Sequence, residues 1–131
     1  MKYEDFVKTT DISNHNLQFY LDGMNEENGE ISGVLKRVRR GDFGEIPKLE
    51  IEEKGIKYIL MKYPKIKLAF LKEVGDRHWY TTRLLQELNE TWDIVEDINQ
   101  GKLGTRKEKD MIMGHGDERE NLIDSETKKK Q

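Results

Sequence analysis

Glu26-Glu27-Asn28-Gly29-Glu30 and, much further along the chain, Glu73-Val74-Gly75-Asp76 are the stretches that decide how this sequence reads. Each carries two acids three residues apart, Glu27/Glu30 and Glu73/Asp76, and on a helix such positions share a face. Advancing by about 100° per residue, Glu27 and Glu30 fall within the arc of Tyr20, Met24, Ile31, Val34 and Val38. Glu73 and Asp76 fall within the arc of Ile66, Ala69, Phe70, Tyr80, Leu84 and Leu88. Both arcs are the faces expected to be buried. Four carboxylates turned toward a core suffer desolvation and repel one another unless cations or hydrogen-bond donors compensate them. Such a set of oxygens suits the hard cations Mg²⁺ and Mn²⁺. One acid-rich turn is usually a solvated face. Two of them on the apolar arcs of two long helices form the pattern of a carboxylate-lined bundle.

Composition sets the outer bounds. A length of 131 residues points to one domain, and 34% hydrophobic against 37% charged residues allows a small core with helices solvated along much of their surface. The net charge of −3 gives no general attraction to polyanions, so neither polymeric nucleic acid nor an acidic membrane is expected as a partner. Cysteine is absent, which excludes disulfides and thiolate metal sites. No apolar run approaches the roughly 20 residues of a membrane span, and Met1-Lys2-Tyr3-Glu4-Asp5 does not open a signal peptide. A cytoplasmic protein is the expectation.

Working outward from the acids, Tyr3, Phe6 and Val7 suit a short helix, and Asp11, Ser13 and Asn14 suit the turn after it. Helical period then runs from about Asn16 to Arg39 and stops at Gly41, with Lys36, Arg37, Arg39 and Arg40 near the C-terminal dipole. That basic run either serves the dipole or meets phosphate. Between about 43 and 64, Leu49-Glu50-Ile51-Glu52 and Ile56-Lys57-Tyr58-Ile59-Leu60 alternate like strands around Lys54-Gly55, so a small hairpin is expected. The rival reading is a short helix over Glu52 to Lys62. Pro64 suits the first turn of a helix from about Lys65 to Leu88. Asn89 is the expected N-cap of another, over Glu90 to about Lys102, weakened at its end by Gly101 and Gly104. The fold class is therefore all-α, an antiparallel helix bundle over residues 1–110, followed by a loop and tail over 111–131.

These residues and spacings resemble the MazG-like family of all-α nucleoside triphosphate pyrophosphohydrolases, whose mark is E-E-x-x-E followed by E-x-x-D. Glu73-Val74-Gly75-Asp76 runs on into Trp79-Tyr80 as that family's second motif does, and Asn99-Gln100-Gly101-Lys102-Leu103 with Arg106 resembles its N-x-x-K-L-x-x-R. Gly114-His115-Gly116-Asp117-Glu118-Arg119 is similar to a glycine-rich tail of some members. The interval from Glu30 to Glu73 is longer than the family's usual one, so Phe43 to Pro64 reads as an insertion that shapes an oligomer interface or overhangs the nucleotide.

The resemblance implies Mg²⁺-dependent hydrolysis of a (d)NTP to the (d)NMP and pyrophosphate by a homodimer or homotetramer, with Mn²⁺ as a possible substitute. Glu27, Glu30, Glu73 and Asp76 would be the metal ligands. Glu27 and Glu26 would be the catalytic acids, with Glu26 at the flank of the arc as a water-orienting base or a plain exposed acid. Lys36, Asn99, Lys102 and Arg106 would meet the nucleotide, and Trp79 would wall a base pocket or pack between helices. Phe19 and His15 line the base site or serve the core and surface. His78 points away from the acids and is no expected ligand. The other class left open is a non-catalytic helical adaptor whose acids hold a structural cation.

Overall fold

The computed structural model describes residues 1–108, which form six helices and, among the described residues, no strand. They are α1 (Tyr3–Thr10), α2 (Leu17–Arg40), α3 (Glu45–Lys54), α4 (Ile56–Lys62), α5 (Pro64–Glu87) and α6 (Trp92–Glu108). The chain divides into two compact units, Met1–Asn89 with α1 to α5, and a second from Glu90 onward that contains α6. No helix among the described residues is long and apolar enough to cross a membrane. The glycine-rich stretch over 111–119 and the lysine-rich end lie outside the described residues.

Both long helices of the first unit begin and end where local chemistry dictates. The Asn16 side chain accepts from the Phe19 N–H at 3.0 Å, capping α2. At its other end Gly41 has φ +92°, and Gly41 and Asp42 donate to the Val38 and Arg37 carbonyls. This is the left-handed glycine termination that satisfies a helix's last carbonyls. Pro64 occupies the first position of α5, where a missing N–H costs nothing.

α2 and α5 run antiparallel. Tyr20 meets Arg83, Gly23 meets Tyr80, and Glu27 meets Asp76 and Glu73, so each step forward along α2 is answered by an equal step back along α5. The core sits at one end of this pair and consists of Val34, Val38, Ile51, Ile59 and Ile66, edged by Leu35, Phe43, Tyr58, Leu60, Tyr63, Ala69 and Phe70.

Residues 43–64 therefore complete the core, and they do so as helices. The expected hairpin is replaced by α3 and α4, and the rival helix exists only in part, since Gly55 (φ +88°) breaks the run between them. Pro47, Ile51 and Ile59 are buried at four- and eight-residue intervals, whereas Leu49 is 60% exposed. Burial of every second residue would have required Leu49 inside; helical spacing wins. Glu50 fastens the segment, accepting from Lys62 Nζ at 2.9 Å and from the Tyr63 hydroxyl. Those bonds, Tyr63's first, hold the Glu50 carboxyl down at about 2.

A second polar knot ties α1, α2 and α5. Arg83 is buried and donates from Nε to Asp11 at 2.8 Å and from a terminal nitrogen to the Tyr20 hydroxyl at 2.9 Å and to Glu87 at 2.8 Å. Tyr20 donates to Asp11. Burial works against the charge on Asp11, yet the bonds from Tyr20 and Arg83 hold its carboxyl below the usual range.

α6 departs from expectation at both ends. Asn89 has φ +56° and donates its N–H to the Gln86 carbonyl, so it closes α5 rather than capping α6. Thr91 takes the cap, its hydroxyl accepting from the Ile94 N–H at 3.4 Å. The helix then continues through Gly101 and Gly104 to Glu108.

Candidate metal centre

Where the acid-bearing turns of α2 and α5 face each other, Glu27, Glu73 and Asp76 each offer a carboxylate oxygen, and these oxygens lie within 4.8 Å of one another. Glu27 and Glu73 are half-buried and Asp76 is exposed. The i, i+3 spacing on α5 puts Glu73 and Asp76 on one face, and the antiparallel register brings Glu27 level with them.

Three carboxyls at this separation cannot all ionise at ordinary cost. Burial first, then a hydrogen bond with Glu73 and the charges of Asp76, Glu73 and Glu30, push Glu27 up to about 7. Glu27 Oε2 is buried and makes no hydrogen bond. An orphaned buried oxygen among three hard donors is the arrangement a small divalent cation satisfies, so the residues fit Mg²⁺ or Mn²⁺.

Glu30 is not part of this set. It is exposed, and its charge is felt by Glu27. Three of the four acids expected as ligands converge here, and Glu30 lies three residues from Glu27 on the same face of α2. Glu26 is exposed on the flank, as the helical arc implies.

Beside the acids lies an open cavity of about 370 Å³ lined by Glu27, Asp76, Trp79 and Tyr80, within the range of small-molecule sites. Trp79 faces two ways. It lines the cavity, and its Nε1–H donates to Thr10 Oγ1 at 2.7 Å, which docks α1 on α5. Trp79 and Tyr80 stand edge to face, 5.1 Å apart at 88°. Phe19 stacks on His15 at 3.7 Å and lies 6.2 Å from Tyr80, continuing the aromatic wall along α2. Burial first, then the charges of Glu27, Glu26 and Asp76, push the Tyr80 phenol above its ordinary value. His78 sits with its ring 5.0 Å from that of Tyr3.

Lys36 is exposed on α2 and does not line the cavity. Asn99, Lys102 and Arg106 share one face of α6, in the second unit. The sequence reading missed Tyr80 as a wall and Gly23 beneath it. Their signal was present in the arcs, since Gly23 lies one turn before Glu27 and Tyr80 one turn after Asp76.

Neither protein-family models, curated proteins nor solved structures yield a match to this chain.

Proposed function

We propose that this protein is a Mg²⁺-dependent nucleoside triphosphate pyrophosphohydrolase that converts a (d)NTP to the (d)NMP and pyrophosphate, with Mn²⁺ able to substitute. The observation that carries the reading is the convergence of Glu27, Glu73 and Asp76, with the unpaired buried oxygen of Glu27 among them. The three motifs that resemble the MazG-like family support the same reaction.

Glu27, Glu73 and Asp76 would hold a divalent cation, which would offset triphosphate charge and lower the pKa of a bound water. Glu27, held near 7 in the free protein, is the ligand that gives up a proton on binding, and Glu73 and Asp76 complete the oxygen set. Asp76 sits at the exposed, cavity-facing edge of the triad. Trp79 and Tyr80 supply aromatic surface for a base. Glu26 is the flanking acid that orients a water toward the α-phosphorus. Lys36, Asn99, Lys102 and Arg106 enter as phosphate and sugar contacts on the strength of the resemblance alone, as does assembly as a homodimer or homotetramer in the cytoplasm.

The test is product analysis over a panel of canonical and modified NTPs and dNTPs, with Mg²⁺, with Mn²⁺ and with chelator. Paired release of monophosphate and pyrophosphate, abolished by chelator and by Asp76→Asn in a folded protein, is the expected result. A folded protein silent across the panel would refute the reading and leave a cation-binding helical adaptor in its place.

A further inference from the structure

Glycine inside a helix is destabilising relative to alanine, so a buried glycine in the middle of α2 needs a local reason. Tyr80 supplies one. A Cβ placed on Gly23 would stand 2.2 Å from Tyr80 Cε1, 2.3 Å from Cδ1 and 2.7 Å from Cζ, far inside the roughly 3.5–4.0 Å of carbon–carbon contact. At Gly29 and Gly75 the same construction meets nothing within 4 Å. The constraint therefore belongs to position 23 and not to the glycines of these helices in general.

The ring that occupies this space is a wall of the cavity beside the acid triad. On its other sides stand Trp79, edge-on and tethered to Thr10, and Phe19. A ring pushed off α2 has the cavity as its open direction.

We infer that Gly23 is a positioning residue for the substrate cavity: its missing side chain seats the Tyr80 ring against α2, and that seat fixes the surface a nucleotide meets beside Glu27 and Asp76. The inference rests on the reading of this cavity as the nucleotide site. Gly23 touches neither cation nor substrate and acts only through Tyr80. The acid triad is built from other side chains, so displacement of the ring reaches the nucleotide without dismantling the cation site.

The experiment uses the full-length protein as wild type, Gly23→Ala, Tyr80→Ala, the double variant, and Gly29→Ala as a control for alanine in α2. Mn²⁺ binding is measured calorimetrically without nucleotide, and kcat and KM are measured separately on the best triphosphate of the panel. Gly23→Ala should raise KM about tenfold or more while the Mn²⁺ dissociation constant moves by less than about threefold, and Gly29→Ala should change neither. In the Tyr80→Ala background the same substitution should change KM by less than about twofold, because the clash has gone. An unchanged KM in Gly23→Ala, or the same factor in both backgrounds, overturns the inference. If Gly23→Ala alone does not fold, the double variant must fold and match Tyr80→Ala, and its failure to do so is equally fatal. A wild type that binds Mn²⁺ but turns over no triphosphate refutes the functional reading and this inference with it, an outcome distinct from an active wild type with an indifferent Gly23.

Discussion

Replacing Glu27 by Gln should stabilise the metal-free protein above neutral pH while removing its affinity for divalent cations. The carboxyl titrates near 4.5 when unperturbed and near 7 in the folded protein. Between those values the folded state keeps a proton that the unfolded chain has lost, so stability falls as pH rises. Above about 7 both states are ionised and the full cost is present. A displacement of this size corresponds to about 3 kcal/mol at most, and partial solvent exposure of the triad lowers the expectation to about 1–3 kcal/mol. Gln cannot ionise and escapes the cost. Urea unfolding in chelator should give near-equal stabilities for the two proteins at about pH 5, with the variant about 1–3 kcal/mol more stable at about pH 8. Mg²⁺ at a hundredfold excess over its Kd should then add about 2.7 kcal/mol to the wild type and nothing to the variant. A variant no more stable than wild type at the higher pH, or one equally stabilised by Mg²⁺, would refute the reasoning.

Five further substitutions separate the structure from weaker alternatives. Glu30→Gln, outside the triad, should weaken Mn²⁺ binding by about fivefold or less, whereas Asp76→Asn should weaken it by more than about tenfold; calorimetry that ranks them the other way would restore Glu30 as a principal ligand. Arg83→Met leaves Asp11 and Glu87 without their buried partner and should cost about 3–5 kcal/mol in urea unfolding; a loss under about 1 kcal/mol would mean the knot is solvated. Ile59→Ala should cost about 2–5 kcal/mol while Leu49→Ala stays within about 0.5 kcal/mol, a contrast that strand-like burial of every second residue would erase.

The long helices were legible because their signals are local. Asn16, Gly41 and Pro64 each act through their own backbone neighbours, and the acids of Glu27 and Glu73-x-x-Asp76 lie on arcs that one helix defines by itself. Residues 49–60 were misread because the alternation of Leu49/Ile51 and of Ile56/Tyr58/Leu60 is a local pattern that the packing overrides. Leu49 at 60% and Ile56 at 41% exposure face outward while Ile59 is buried, and what buries Ile51 is the distant Val34, Val38 and Ile66. Asn89 has the right residue type for an N-cap, but its positive φ makes it the end of α5 and leaves the cap to Thr91. The knot of Asp11, Tyr20 and Arg83 was invisible to any window along the chain, since Asp11 and Arg83 lie 72 residues apart. In the site, an arc along one helix shows which acids share a face but not which of them meet the facing helix, where the oxygens of Glu73 and Asp76 close on Glu27. Gly23 and Tyr80 went unread as a pair for the same reason, since a contact between two helices has no pattern within either.

The central claim concerns where water attacks, and the most direct measurement is turnover of a triphosphate in isotopically labelled water with Mg²⁺, followed by mass spectrometry of both products. Attack at the α-phosphorus places the labelled oxygen in the nucleoside monophosphate and leaves pyrophosphate unlabelled, which is the result that the proposed pyrophosphohydrolase activity predicts. Label in the pyrophosphate, or release of orthophosphate in its place, would contradict it.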